Sequence, residues 1–210
     1  MTTRRFLLAA LLLLATPAVA QTEPPAAPPP PTQPRPATAR VALTTPEGPI
    51  VLELETGRAP ITAGNFLTYV DQKRLDGATF YRAVPIGEGY GLVQGGIQND
   101  PKKQLKPIAH EPTSQTGLSH TDGAIAMARL APGTAASEFF IVVGDLVSMD
   151  ADPTKPGDNQ GFAVFGHVVE GMDVVKRILV APKSATKGEG VMRGQMLEPE
   201  IRILTARRMN

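Results

Sequence analysis

Short segments in which apolar and polar residues alternate, separated by turn-forming residues, fill the chain from Arg40 onward. Such alternation is typical of β-strands with one buried face. The segments RVALTT and PIVLELET flank Pro46-Glu47-Gly48 and predict a hairpin with a short loop. Further strands are predicted over 78–84, 92–94, 124–128, 139–143 and 163–168 and in the closing segment EPEIRILTARR. Only APITAGNFLTYVDQKRL and EGMDVVKRILV have helical spacing, so the pattern predicts one all-β barrel or sandwich.

The first 20 residues have the pattern of a secretory signal peptide. Arg4 and Arg5 precede an apolar run over residues 6–15, and Ala18-Val19-Ala20 has the small residues of a cleavage site. The apolar run is too short to span a bilayer comfortably, because a transmembrane helix needs about 20 apolar residues. We therefore expect residues 1–20 to be removed on export; a single uncleaved membrane anchor is the alternative.

Residues 21–38 contain eight prolines, including a consecutive run over 28–31. A segment with so few amide donors and so little apolar bulk favours an extended, solvated conformation. We interpret it as a disordered linker that precedes one folded domain over residues 39–210. A ligand for a polyproline-binding partner is the alternative.

Composition excludes several classes of function. The chain has 21 Lys and Arg residues against 20 Asp and Glu residues, so it lacks the basic excess of a protein that grips nucleic acid through phosphates. It has no cysteine, which excludes thiol chemistry and disulfides. The histidines, His110, His120 and His167, have neither metal-site spacing nor a motif that links them to a nucleophile. We expect no metal and no cofactor.

Two predicted strands place polar and apolar side chains on a common outer face. In SEFFIVV, alternation turns Phe139 to the interior and turns Glu138 and Phe140 to the opposite face. In LVQGG, Leu92 and Gln94 share the outer face. Large apolar groups beside a hydrogen-bonding side chain are typical of a shallow peptide-binding groove.

A single arginine, Arg82, lies inside the predicted strand FYRAV. If that strand is regular, Arg82 shares a face with Phe80 and Val84. Alone, such an arginine is an ordinary surface residue. Beside the groove residues of the neighbouring strands it becomes a candidate for the chemistry of the site.

Ordered motifs along the chain resemble those of the cyclophilin family of peptidyl-prolyl isomerases. They are NFLTYV, TFYRAVP followed by GLVQGG, GAIAMARLAPGTAASEFFIVV and FAVFGHVVEGMDVV. The resemblance covers nearly all of residues 40–205. It implies a mainly β fold, a closed eight-stranded antiparallel β-barrel capped by two α-helices, with peptidyl-prolyl cis-trans isomerase activity.

The resemblance also implies roles for individual residues. Arg82 matches the catalytic arginine, and Gln94 matches the glutamine that anchors the substrate backbone. Arg129 replaces the usual asparagine, Glu138 a glutamine and Phe162 a histidine. The implied substrate-binding set is Gln94, Leu92, Phe140, Ala128, Arg129, Glu138, Met149 and Phe162.

The chain departs from the family pattern at two places beside the groove. Arg82 and Gln94 are further apart than in the family motif, because extra residues lie in IGEGYG. Gly91 consequently occupies the register of a pocket phenylalanine, and the sequence leaves open whether Tyr90 supplies the missing ring. A second insertion, ADPTKPGDNQG, lies at the pocket rim.

The expected function is to accelerate rotation about Xaa-Pro bonds in exported, folding polypeptides. An arginine aimed at the proline nitrogen stabilises the twisted transition state and leaves the planar ground state unaffected. We expect a periplasmic monomer whose partners are unfolded or newly exported proline-containing proteins. The alternative is a non-catalytic peptide-binding or chaperone module that uses the same groove.

Overall fold

The computed structural model describes residues 36–209. The predicted signal peptide and residues 21–35 of the predicted linker lie outside the described residues, so both assignments stay predictions. Within 36–209 no helix combines the length and the apolar character needed to cross a bilayer.

Strands make up most of the regular structure of the described residues. They are β1 Ala39–Thr45, β2 Gly48–Leu54, β3 Thr79–Gly87, β4 Tyr90–Gly96, β5 Ala124–Met127, β6 Phe139–Val143, β7 Ala163–Glu170, β8 Met196–Arg202 and β9 Thr205–Arg208. The helices are α1 Pro60–Asp71, the short α2 Thr113–Thr116 and α3 Met172–Val180, with 3₁₀ turns at Val147–Met149 and Gly190–Met192.

The strands form one antiparallel sheet in the order β8-β3-β4-β6-β5-β7-β2-β1-β9. The predicted mainly β architecture is therefore confirmed. The predicted closed ring of eight strands is not confirmed, because the described sheet has nine strands and ends at β8 and β9. The difference arises at the C-terminus, where Ile203 and Leu204 divide the predicted closing strand into two, one at each end of the sheet.

Helix α1 begins at a buried carboxylate that is distant in sequence. Pro60 stands in the first turn, where its missing amide hydrogen costs nothing, and the residue before it offers no side-chain cap. Glu111 takes that place by accepting hydrogen bonds from the Ile61 and Thr62 amides at 3.1 and 2.7 Å and from the Thr62 hydroxyl at 2.6 Å. A negative charge at this end also complements the helix dipole.

The main core lies between the sheet and the two longer helices. Phe66 of α1 contacts Phe139 of β6 edge to face, with ring centroids 5.4 Å apart, and lies 5.3 Å from Phe165 of β7. Val175 and Ile178 of α3 are fully buried in the same cluster. Burial of each such large apolar side chain stabilises the fold by roughly 1.5–3 kcal/mol.

Strand β6 separates this core from a second apolar cluster. Phe139 and Ile141 are buried in the main core, as alternation predicts. Phe140 and Val142 point to the other face, where they join a smaller cluster with Val164 of β7. This second cluster forms the base of the candidate site.

A β-bulge in β3 changes the predicted position of Arg82. Phe80 pairs with Gly95, but the next paired residue is Arg82, opposite Gln94, so Tyr81 is the extra residue. A bulge of this kind reverses the alternation that follows it. Phe80 is therefore fully buried in the main core, and Arg82 is only partly buried on the opposite face. The prediction that Arg82 shares a face with Phe80 was wrong.

Candidate active site

A cavity of about 740 Å³ lies on the outer face of the sheet. The structure places every residue of the predicted site around it. These residues are Arg82, Leu92, Gln94, Ala128, Arg129, Glu138, Phe140, Met149 and Phe162. The same cavity is also bordered by residues that the sequence did not single out, among them Tyr81, Met192 and Met196.

One end of the cavity is an apolar pocket. Phe162 stands edge to face against Phe140, with centroids 5.4 Å apart and an interplanar angle of 88°. Leu92 and Met149 pack against the same cluster. These side chains offer a non-polar surface without charge, which suits a small aliphatic ring.

Arg82 lies beside this pocket and is held by two neutral amides. Its Nη1 donates to Oε1 of Gln94 at 2.9 Å, and its Nε and Nη2 both donate to Oε1 of Gln195, at 2.9 and 2.6 Å. Burial lowers the pKa of Arg82, yet a guanidinium remains charged at neutral pH because its usual pKa is above 12. The two glutamines therefore orient the Arg82 guanidinium without neutralising its positive charge.

Tyr81 determines which way the Gln94 amide faces. The Gln94 amide nitrogen donates to the Tyr81 hydroxyl at 2.7 Å, so the Gln94 oxygen turns to Arg82. Burial, followed by the negative charge of Glu138, raises the pKa of Tyr81. Tyr81 therefore stays protonated in the physiological range and keeps this hydrogen-bond network in one arrangement.

Gln195 and Tyr81 are the members of the Arg82 hydrogen-bond network that sequence reasoning missed. Gln195 is 113 residues from Arg82 and belongs to no motif. Tyr81 is the direct neighbour of Arg82, but regular alternation assigned it to the opposite face. The bulge, whose position the sequence does not reveal, turns Arg82 to the face on which it meets Gln195 and, through Gln94, Tyr81.

Glu138 borders the cavity and is only 9% exposed. Its Oε1 accepts hydrogen bonds from the Asn99 amide at 3.3 Å and the Ser137 hydroxyl at 3.0 Å. Its Oε2 has no hydrogen-bond partner among the described residues and lies against Gly96, where an added Cβ would be 2.5 Å away. The hydrogen bonds that hold the Glu138 carboxylate therefore reach only one of its oxygens, Oε1.

Arg129 is bound to the rim insertion instead of pointing freely into the cavity. It forms a two-pronged ion pair with Asp158, with N···O distances of 2.7 and 2.9 Å, and donates from Nε to the Gly161 carbonyl at 2.9 Å. Its guanidinium carbon lies 5.3 Å from the centroid of the Phe162 ring. The Arg129 hydrogen bond is the main cause that lowers the pKa of Asp158 to about 2. Arg129 therefore holds one wall of the apolar pocket.

The structure resolves the open question of Tyr90. Its side chain packs over Gly87 and Gly144 and is not among the residues that line the cavity. Gly91 cannot carry a ring either, because a Cβ there would lie 2.2 Å from the Val84 carbonyl oxygen. The extra residues of IGEGYG lengthen the β3–β4 hairpin, and the pocket has one ring fewer than the family pattern implies.

His120 lies beneath the pocket and supports it. Its Nδ1 is 2.5 Å from Oδ1 of Asp150, and its ring stacks on Phe140 with centroids 5.9 Å apart. Burial lowers the pKa of His120, which opposes the effect of Asp150. The histidine is fully buried, so its role is to support the floor of the pocket.

The chain is similar in sequence to known peptidyl-prolyl isomerases. A family model described as cyclophilin type peptidyl-prolyl cis-trans isomerase matches residues 40–207. A peptidyl-prolyl cis-trans isomerase of Acinetobacter baylyi is 36% identical over 149 residues, covering 70% of this chain and 76% of that protein. Peptidyl-prolyl cis-trans isomerase B of Escherichia coli is 34% identical over 143 residues, covering 66% of this chain and 82% of that protein.

The fold also resembles a solved structure. A cyclophilin type peptidyl-prolyl cis-trans isomerase of Cryptosporidium parvum, crystallised in the presence of the dipeptide Ala-Pro, aligns with a TM-score of 0.65. The alignment covers 81% of this chain and 99% of that chain at 19% sequence identity. Similarity at this level of identity shows a shared fold.

The contact between Arg129 and Phe162 yields a testable prediction. Arg129→Met should weaken binding of a short Ala-Pro peptide about two- to fivefold, which corresponds to the roughly 0.5–1 kcal/mol of a partly exposed cation–π contact. The Kd is measured by NMR titration. Arg177→Met is the matched control, because Arg177 also forms an ion pair, with Asp173, but does not border the cavity. Equal affinities for both variants and the unmutated domain would contradict the role of Arg129.

Proposed function

The chain belongs to the cyclophilin type peptidyl-prolyl cis-trans isomerase family, and from that premise we propose that Arg82 is the group that accelerates rotation about the Xaa-Pro bond. The observation that carries this proposal is the hydrogen bonding of the Arg82 guanidinium to Gln94 and Gln195 at the edge of the apolar pocket. This arrangement presents a fixed positive charge where a bound proline would place its nitrogen.

The chemical problem is the rotation of a partly double bond. Amide resonance gives the bond a barrier of roughly 18–20 kcal/mol, whereas the two isomers of an Xaa-Pro bond differ by only about 0.5–1 kcal/mol. In the twisted transition state the nitrogen loses resonance, becomes pyramidal and acquires a lone pair that can accept a hydrogen bond. A donor aimed at that nitrogen therefore stabilises the transition state more than the ground state.

The pocket residues supply the other requirements of the reaction. Phe140, Phe162, Leu92 and Met149 hold the proline ring, which positions the nitrogen against Arg82. Gln94 and the backbone of Ala128 hold the peptide on one side of the bond while the other side turns. Rotation breaks no covalent bond, so this account requires no nucleophile and no net transfer of a proton.

Arginine suits this position better than lysine. The planar guanidinium keeps its charge and directs several N–H groups in fixed directions. Three of the N–H groups donate to the amide oxygens of Gln94 and Gln195. The remaining N–H groups are available to a ligand. Partial burial strengthens the interaction of the charge with a developing lone pair.

The test is cis/trans exchange in an Ala-Pro-Phe type peptide, measured by NMR with the domain over residues 36–209. Arg82→Ala should lower kcat/KM about 10²- to 10³-fold, the usual cost of removing one transition-state donor. Arg82→Lys should recover only part of this loss, because lysine keeps the charge but not the geometry. Arg177→Ala, on the outer surface of α3, is the control and should leave exchange unchanged.

The rival function predicts a different outcome. A folded domain that binds the peptide without accelerating its exchange would contradict the catalytic proposal and support a peptide-binding or chaperone module. Rapid exchange that persists in Arg82→Ala would retain the isomerase activity but contradict the role of the guanidinium.

We further propose that the protein acts as a monomer in the bacterial periplasm on unfolded or newly exported proline-containing proteins. The charged and apolar pattern of residues 1–20 supports export, and the proline-rich residues 21–38 would form an extended N-terminal segment of the mature protein. Expression of the full chain in a Gram-negative host should yield a periplasmic, monomeric protein whose N-terminus, by mass spectrometry, is Gln21. Retention of the intact chain in the membrane fraction would contradict export by a cleaved leader.

A further inference from the structure

The chain between α3 and β8 returns to the cavity on the side of Arg82 that lies away from the apolar pocket. Gln195 contacts β3 twice: its carbonyl accepts a hydrogen bond from the Ala83 amide at 2.9 Å, and its side chain accepts from Arg82. Just before it, the 3₁₀ turn Gly190–Met192 places Met192 at the edge of the cavity. We call residues 188–196 the methionine segment, because Met192 and Met196 both border the cavity.

The methionine segment is tied to the rest of the fold. The Ser184 amide donates to the Met196 carbonyl at 2.8 Å, and Lys187 forms an ion pair with Glu198 at 2.8 Å. A Cβ added to Gly188 would lie 2.5 Å from the carbonyl oxygen of Met192, so the turn closes tightly on itself. Met192 is thus presented from a defined backbone conformation.

Strand order places the methionines opposite the apolar pocket with Arg82 between them. Met196 on β8 pairs directly with Arg82 on β3, whereas Phe140 lies on β6, beyond β4. Neighbouring strands are about 4.8 Å apart, which is close to the spacing of about 3.8 Å between consecutive Cα atoms of a peptide. A peptide whose proline nitrogen lies at Arg82 can therefore place the residue adjoining the proline over Met196, one strand away.

The chemistry of this surface is apolar and adaptable. Met192 remains 39% exposed although it borders a cavity that already contains a charged and several polar groups. Methionine side chains are flexible and polarisable, and they adapt to apolar partners of different shape. An exposed apolar side chain at the end of a binding groove gains stability only when a ligand covers it.

We propose that Met192 and Met196 form a second subsite that takes an apolar side chain of the residue flanking the substrate proline. The proposal rests on the proposed function, because it assumes that the proline ring occupies the pocket at Phe140. It makes the methionine segment a determinant of substrate choice in addition to its support of Arg82 through Gln195. Apolar-flanked prolines are typical of sequences that are buried in folded proteins and exposed in unfolded ones.

The test compares peptides that differ only beside the proline. Each peptide carries Leu or Phe, or else Ser or Asp, at the position before or after the proline, and exchange is measured by NMR. The domain should prefer the apolar peptides at one of these positions. Met192→Ser should reduce this preference, expressed as a ratio of kcat/KM values, about fivefold, and Met192→Leu should preserve it.

Met209→Ser is the matched control. Met209 is 44% exposed, similar to Met192, but it follows β9 and does not line the cavity. This variant should keep the same preference as the unmutated domain. A preference that is absent, or one that Met192→Ser leaves intact, would overturn the second subsite.

The two proposals fail in different ways. Fast exchange that depends on Arg82 but shows no apolar preference would retain the proposed function and reject the subsite. If the domain binds peptides without accelerating exchange, the same comparison of variants is made with Kd values. An apolar preference in Kd that Met192→Ser lowers would then support the subsite, and no difference between the peptides would reject it.

Discussion

The arrangement of the site depends on one extra residue in one strand. The bulge at Tyr81 lets Phe80 enter the core and then turns Arg82 to the opposite face, where regular alternation would place them together. Gln94 on β4 then lies directly across from Arg82, within hydrogen-bond distance. On the other side of β3, Met196 of β8 pairs with Arg82. Core packing and the position of the guanidinium are consequently settled by the same local irregularity.

The partners of Arg82 are as important as its position. Partial burial of a guanidinium costs free energy unless its donors are satisfied, and here amide oxygens of Gln94 and Gln195 satisfy them. A carboxylate would hold the side chain equally well but would neutralise its charge. Neutral acceptors fix the direction and leave the positive charge for a ligand. By contrast, Arg129 is paired with the Asp158 carboxylate, which fits a role in holding Phe162 at the pocket wall.

Local patterns in the sequence were sufficient for those features that depend on local geometry. The β1–β2 hairpin followed from its turn residues, and the opposite faces of Phe139 and Phe140 followed from strand alternation. The family motifs named the residues around the cavity. Features that depend on pairing between distant segments could not be predicted from local sequence patterns. Predicting the bulge requires the β3–β4 register, and predicting the contact of Gln195 with Arg82 requires the return of a segment 113 residues away. Predicting a nine-stranded sheet with two ends requires knowing that the last strand divides at Ile203.

In the proposed mechanism, an oriented and uncompensated positive charge at Arg82 lowers the barrier to rotation about the Xaa-Pro bond. The most direct measurement is the exchange rate of a saturating Ala-Pro-Phe peptide in Gln195→Glu, compared by NMR with the unmutated domain at neutral pH. Nε and Nη2 of Arg82 both donate to the single Oε1 of Gln195, and a glutamate keeps an acceptor oxygen at that position but adds a negative charge. If only the transition state uses the positive charge of Arg82, exchange in Gln195→Glu is at least about tenfold slower and the Kd is similar. Exchange as fast as in the unmutated domain, with the peptide bound equally well, would contradict the proposed mechanism.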